Sequence, residues 1–218
     1  SLEMRALIAD STNAPLRLVS IPRPSLQTGQ VLVRIKASGV NPLDGKVRTG
    51  QAAHARQPLP AIVGMDLAGV VEAVGEGVSA WQPGDEVYAM ATGIGGAQGS
   101  LAEYAAVDAR LLAAKPGNLN MREAAGLPLV LITAWEGLVD RARVRTGHKV
   151  LVHGGAGGVG HVAVQIARAF GAEVFATGSA RHQAIIEDLG ATFIDRHIPI
   201  EAYVAQHTAG EGFDIVYD

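Results

Sequence analysis

Apolar positions follow two rhythms along the chain. Up to about Lys115 they come in short runs rich in β-branched and aromatic residues: Leu16–Ile21, Gln30–Ala37, Gly69–Val74, Glu86–Ala89 and Ala102–Val107. Proline and glycine punctuate these runs at Pro22, Pro24, Gly29, Pro83, Gly84 and through Gly93–Gly99. Short strands at such spacing predict a closed or sandwiched β domain, with one short helix over Leu43–Thr49. After Pro116 the period lengthens. Met121–Val139 reads as helix broken at Pro128, whose ring removes a backbone donor. Strand Lys149–His153 then leads through glycines into a helix that sets Val159, Val162, Ala163, Ile166 and Phe170 on one face, capped by Gly171. Strand Glu173–Thr177, helix Arg181–Leu189, strand Thr192–Ile194, helix Ile200–His207 and strand Phe213–Tyr217 continue the alternation. The expected fold class is therefore α/β: a β domain over residues 1–120, then a doubly wound parallel sheet over 121–218.

Asp218 follows directly on what reads as a fourth parallel strand. A full dinucleotide-binding sheet has six, so the expectation is a fragment. The alternative is a small complete domain whose partner covers the open edge.

Charge excludes some functions. Eighteen basic against twenty-one acidic side chains leave a net charge of −3, which favours neither nucleic acid nor an anionic membrane surface. No apolar run approaches the roughly 20 residues that cross a bilayer, and the N-terminus lacks a basic–apolar signal pattern. Cytoplasm is the expectation by elimination. The absence of cysteine removes disulfides, thiolate zinc sites, iron–sulfur clusters and thiol nucleophiles together. Glycine is the excess that informs: 27 residues, many in patterned groups, mark places where backbone must approach something closely.

The most pointed group is Gly154–Gly160, GGAGGVG, which contains G-x-G-x-x-G at Gly155, Gly157 and Gly160. It follows an apolar strand and opens an amphipathic helix, the context that gives this pattern its meaning. A helix start offers unpaired N–H donors and the positive end of the macrodipole to a pyrophosphate. Gly155, Ala156, Gly157, Gly158, Val159 and Gly160 are the expected cradle. Tight strand–helix packing without a ligand would explain the glycines as well. About 20 residues on, NAD sites carry an acid that binds the ribose hydroxyls. Here Val174–Gln183 holds none, and Gly178 occupies that position, followed by Ser179 and Arg181. A hydroxyl and a guanidinium suit the 2′-phosphate of NADPH. The competing reading makes Ser179 a helix cap and leaves Arg181 in solvent.

Gly64–Gly75 (GMDLAGVVEAVG), Pro83–Ala89 (PGDEVYA), Gly99–Val107 (GSLAEYAAV), Ala124–Leu138 (AAGLPLVLITAWEGL) and His153–Gly160 (HGGAGGVG) together resemble the medium-chain dehydrogenase/reductase superfamily. Gly39–Asp44 (GVNPLD) is similar to its zinc-free quinone oxidoreductase, zeta-crystallin-like branch. The resemblance spans nearly the whole chain. It implies a GroES-like β domain, a Rossmann cofactor domain, an active site in the cleft between them, and a homodimer. Zinc members carry a catalytic cysteine in the segment of Gly39–Asp44 and His-Glu after the glycine of the first motif. This chain has Asn41 and Met65–Asp66 there. Its seven histidines form no close ligand pattern, so no metal is expected.

Reducing an isolated ketone localises charge on oxygen, which zinc stabilises. Quinones and α,β-unsaturated carbonyls delocalise it, so hydrogen-bond donors suffice. The expected activity is NADPH-dependent reduction of quinones or other small conjugated acceptors. Alternatives are an enoyl-thioester or 2-alkenal reductase, or a non-catalytic NADPH-binding, crystallin-like protein. By the resemblance, Asn41 and Asp44 lie near nicotinamide or substrate. Asn41 donates through its amide or holds the ribose, and Asp44 orients Asn41 or relays a proton through water. N-P-L-D also reads as a plain turn. Thr133 resembles a threonine beside the cofactor, or is a buried hydroxyl bonding its own helix. His54 stands near where several quinone reductases place a tyrosine, and otherwise is a loop residue. Arg196 lies against the adenosine phosphate or at the surface.

Overall fold

The computed structural model describes residues 2–52, 57–91, 93 and 96–218. The chain packs as two compact units, Ser1–Leu129 and Val130–Asp218.

In the first unit, β1 (Glu3–Ala9), β2 (Leu16–Pro22), β3 (Gln30–Ser38), α1 (Pro42–Arg48), β4 (Ala61–Ile62), β5 (Asp66–Val74), β6 (Glu86–Met90), β7 (Tyr104–Asp108), β8 (Ala113–Ala114) and α2 (Met121–Ala125) follow one another. The strands form two antiparallel sheets, ordered β2-β1-β4 and β7-β3-β5-β6-β8. Alternation of side chains buries Val31, Val33, Leu67, Val71, Val87, Ala105 and Val107 in one cluster, because the period of two sends every second residue to the same face. Met4, Ala6, Ile62 and Tyr104 form a second cluster under the smaller sheet.

The sequence reading lacked β1, β4 and β8. Strand β1 reads EMRALIA, with Met4 and two alanines inward and no β-branched run, so it is recruited by pairing along its whole length with β2. Strands β4 and β8 span two residues each and have no periodicity to detect. Strand β5 begins three residues before the predicted Gly69, and β7 begins two after the predicted Ala102.

Helix α3 (Pro128–Trp135) runs from the end of the first unit into the second, and Glu136–Arg141 continues it as a π turn. The predicted helix Met121–Val139 is thus two helices parted by Gly126–Leu127, as Pro128 requires. Beyond it come β9 (Lys149–Val152), α4 (Gly158–Ala169), β10 (Glu173–Gly178), α5 (Gln183–Asp188), β11 (Thr192–Asp195), α6 (Ile200–Thr208) and β12 (Ile215–Tyr217). The sheet is parallel in the order β11-β10-β9-β12, the order of a nucleotide-binding half with its first strand inside. Strand β12 starts later than the predicted Phe213, whose ring instead packs edge-on against Phe175, 5.3 Å between centroids. Helix α4 buries Val162, Ala163, Val164, Ile166 and Ala167. Phe170 ends that helix as its C-cap and meets Trp135 edge-on rather than joining the buried face. Among the described residues no helix is long and apolar enough to cross a membrane.

Burial sets an unequal cost for shortening leucines in the first unit. Leu67 is fully buried and Leu18 is 65% exposed. Urea unfolding should show Leu67→Ala losing roughly 2–4 kcal/mol and Leu18→Ala less than about 0.5.

Candidate functional site

In the first unit the polar residues gather where β3 ends and β5 begins. Asn41 is the N-cap of α1, with extended backbone at φ −119° and ψ 152°, and Pro42 supplies the first helical position. Asp44, one turn in, reaches back so that the Asn41 backbone N–H donates to its Oδ2 at 2.8 Å. The carboxamide of Asn41 is held by a different residue. Its Nδ2 donates to Oδ2 of Asp66 at 3.0 Å. Asp66 is completely buried and Asn41 nearly so. Asp44 thus holds the Asn41 backbone, and Asp66 holds the nitrogen of its amide.

Asp66 also serves the next helix. Leu129 N–H donates to both of its carboxylate oxygens at 3.2 Å. The residues before α3 are Gly126 and Leu127, so no local Ser, Thr, Asp or Asn side chain caps it. A carboxylate from β5 fills that place and faces the positive end of the helix. The Gly39 N–H donates to the Asp66 carbonyl at 3.0 Å, and a Cβ on Gly39 would strike the Ala125 carbonyl. Glycine is needed there for α2 to close over the cluster.

Burial pushes the Asp66 carboxyl up to about 6. The bonds from Asn41 and Leu129 oppose that shift, and the nearby Asp44 charge adds to it. Asp44 is raised for the same first reason, burial, against the backbone donors of Asn41 and Met65. Asp66 was not singled out as a site residue by the sequence reading. The available signal was an acid at the head of an otherwise apolar strand, Met65–Asp66–Leu67–Ala68, where an unpaired carboxylate would be costly.

In the second unit the glycine loop takes the expected place between β9 and α4, with Gly157 as N-cap. Its glycines divide by cause. A Cβ on Gly155 would lie 2.5 Å from that of Ala176 in β10, and one on Gly160 would run into the Gly154 carbonyl. Those two are required by packing alone. Gly157 and Gly158 are exposed, Ala156 and Val159 half-buried, and a Cβ on Gly158 would only touch the Val130 side chain, at 3.8 Å. Here the helix start stays open to solvent, with first-turn N–H groups that have no partner inside the helix. Thr177 ties the loop to β10: Gly154 N–H donates to its Oγ1 at 3.2 Å and Gly155 N–H to its carbonyl at 3.0 Å.

Gly154, Ala156, Gly157, Thr177, Gly178, Ser179, Arg181, His182 and Arg196 line one hollow at the C-terminal ends of these strands. Gly178 is buried, and a Cβ there would lie 2.8 Å from the Ile186 side chain. An acid at that position would have to displace the core. Ser179 caps the 3₁₀ turn Ala180–His182 by position, but its hydroxyl lies 3.1 Å from Nδ1 of His182 instead of bonding the turn's backbone. Arg181 and Arg196 are exposed, and neither guanidinium forms an ion pair among the described residues. Asp195 pairs in register with Gly178, yet its carboxylate accepts the His197 N–H at 2.9 Å. The hollow thus offers backbone donors, a hydroxyl and two cations, a donor set that fits a phosphorylated nucleotide.

Thr133 is exposed on α3 rather than buried, and its carbonyl accepts the Tyr217 hydroxyl at 3.3 Å. His54 lies outside the described residues. Among the described residues no group of three or more His, Cys, Asp or Glu side chains is arranged to hold a metal ion.

Residues 27–117 match the family model of the alcohol dehydrogenase GroES-like domain, and residues 158–218 that of the zinc-binding dehydrogenases. The chain is 44% identical over 174 residues to the NADPH-dependent alkenal/one oxidoreductase of Arabidopsis thaliana, covering 77% of this chain and 45% of that protein. It is 36% identical over 204 residues to the quinone oxidoreductase of Homo sapiens, covering 92% and 60%. Among solved structures, an alcohol dehydrogenase superfamily protein from Novosphingobium aromaticivorans superposes with a TM-score of 0.97 at 58% identity, covering 99% of this chain and 65% of that one. An NAD-dependent alcohol dehydrogenase superposes at 0.89 with 35% identity, covering 97% and 69%. The chain spans about half the length of the curated relatives it matches.

The raised Asp66 carboxyl has a consequence for stability. The folded state holds that proton more tightly than the unfolded chain, so the stabilisation is complete below pH 4 or so and is lost as pH rises through about 6. The loss is on the order of 3 kcal/mol. Urea unfolding of wild type and Asp66→Asn, compared from pH 4 to 8, should show the difference between them shifting against wild type across that window.

Proposed function

The chain belongs to the medium-chain dehydrogenase/reductase superfamily, and from that premise we propose that it serves NADPH-dependent reduction of quinones or α,β-unsaturated carbonyl compounds, without a catalytic metal. The observation that carries the cofactor reading is the hollow at the end of β10, where Gly178 stands in place of an acid and Ser179, Arg181 and Arg196 gather. A carboxylate there would repel a 2′-phosphate, whereas paired guanidiniums bind it through charged hydrogen bonds. The pyrophosphate takes the exposed helix start at Gly157, Gly158 and Val159. When bound, the nicotinamide supplies a hydride.

The donor set does not suit catalytic zinc. The chain has no cysteine, and Asn41 and Met65 stand at the positions where zinc members of the superfamily carry ligands. Conjugated acceptors fit that lack, because their developing negative charge is spread and a neutral amide donor meets the need. Asn41 is the proposed donor, with one amide hydrogen committed to Asp66 and the other without a partner among the described residues. Asp44 is proposed to relay a proton through water, and Thr133 to lie beside the cofactor. The names of the Arabidopsis and human relatives agree with this choice of acceptors.

Arg181→Ala and Arg196→Ala should each raise the Kd for NADPH roughly 10- to 100-fold, the range expected for lost charge-assisted bonds, and that for NADH less than about 3-fold. Titration of both cofactors by fluorescence checks this. Equal shifts for the two remove the NADPH assignment. Oxidation of NADPH by naphthoquinone, phenanthrenequinone and a simple enone, followed by absorbance, tests the reaction; tight cofactor binding with no turnover favours a non-catalytic binding protein.

A further inference from the structure

Asp66 is the one member of the buried polar cluster with no role in the reading above. Three features set it apart. It is completely buried, so its carboxylate has only protein to bond. It accepts from two elements far apart in sequence, Nδ2 of Asn41 at 3.0 Å and the Leu129 N–H at 3.2 Å. When ionised it can accept but not donate, so it selects the nitrogen side of the Asn41 amide and disfavours the flipped form. Capping α3 would be served by any acceptor. Fixing which end of the Asn41 amide points inward needs a group that accepts and cannot donate, as an ionised carboxylate does.

We infer that Asp66 is a positioning residue: its carboxylate locks the Asn41 carboxamide in one orientation, leaving the second amide hydrogen of Asn41 to the bound reactants. The inference rests on the proposed reductase role of Asn41. Two neutral donors, Asn41 and Leu129, and one charged neighbour, Asp44 of α1, act on Asp66 among the described residues. Asp44 bonds the Asn41 backbone and repels Asp66, so the lock forms only when Asp66 carries its charge despite that repulsion. Protonation gives Asp66 a hydrogen to donate and one oxygen fewer to accept with. The preference for the nitrogen end of the Asn41 amide is then lost on the Asp66 side. The lock therefore engages as pH rises through about 6, while the stability contribution of the same group declines.

The test uses the full natural chain. Without cofactor, the side-chain amide resonances of Asn41, assigned by their loss in Asn41→Ala, should shift with pH across about 6 in wild type and stay constant in Asp66→Asn. With NADPH and an enone, Asp66→Asn should lower kcat roughly 10- to 100-fold with the NADPH Kd within about 2-fold, the scale of a displaced catalytic group. In the double variant Asp66→Asn, Asn41→Ala the loss should equal that of Asn41→Ala alone, because Asp66 acts through Asn41. An Asn41 amide that ignores pH in wild type overturns the proposal without recourse to any variant. Additive losses in the double variant overturn it as well and leave Asp66 a helix cap. If wild type reduces no acceptor while the Asn41 amide follows Asp66, the lock is supported and the reductase reading falls.

Discussion

The second unit depends on how closely two pieces of backbone approach each other. Helix α4 can start directly over the end of β9 only because Gly160 leaves room for the Gly154 carbonyl and Gly155 for Ala176. With any side chain at those points the helix would stand off from the sheet, and Val162, Ala163 and Ile166 would lose their packing. The open N–H groups of the helix start are a by-product of that packing. The loop's glycines therefore divide by position: Gly155 and Gly160 serve the fold, and Gly157 and Gly158 leave the helix start open.

The first unit depends on a buried charge instead. A carboxylate at the head of β5 would be costly if left alone, and its position is tolerable because Asn41 and Leu129 donate to it. Those donors come from the turn before α1 and from the start of α3. Removing either donor leaves the charge short of a bond. Two carboxylates within reach of one asparagine also set a proton balance, since each makes the other harder to ionise. The cluster is thus a structural tie and an electrostatic device at once.

Not all predicted residues come together. Asn41 and Asp44 meet in the first unit, with Asp66 added. Gly178, Ser179, Arg181 and Arg196 meet in the second, with Thr177 and His182 added. Thr133 stands apart on the exposed side of α3. The additions share a cause. Thr177, His182 and Asp66 act by bonding to backbone or to other side chains, and such bonds leave no mark in spacing or periodicity.

Local chemistry alone determined the larger elements: β-branched runs at period two made β3, β5 and β6, glycine before an amphipathic run made the β9–loop–α4 passage, and Pro128 divided α2 from α3. The missing acid after β10 was equally plain, because it is a single residue type at a known distance from the glycines. Tertiary structure decided what depends on partners distant in sequence. Strand β1 exists because β2 pairs with it, β12 begins at Ile215 because Phe213 turns to Phe175, and the Asn41 amide faces Asp66 across 25 positions of chain. Local pattern records which face of an element is apolar. It does not record which distant carboxylate closes on a given amide, since that choice is made only when the strands and helices have packed.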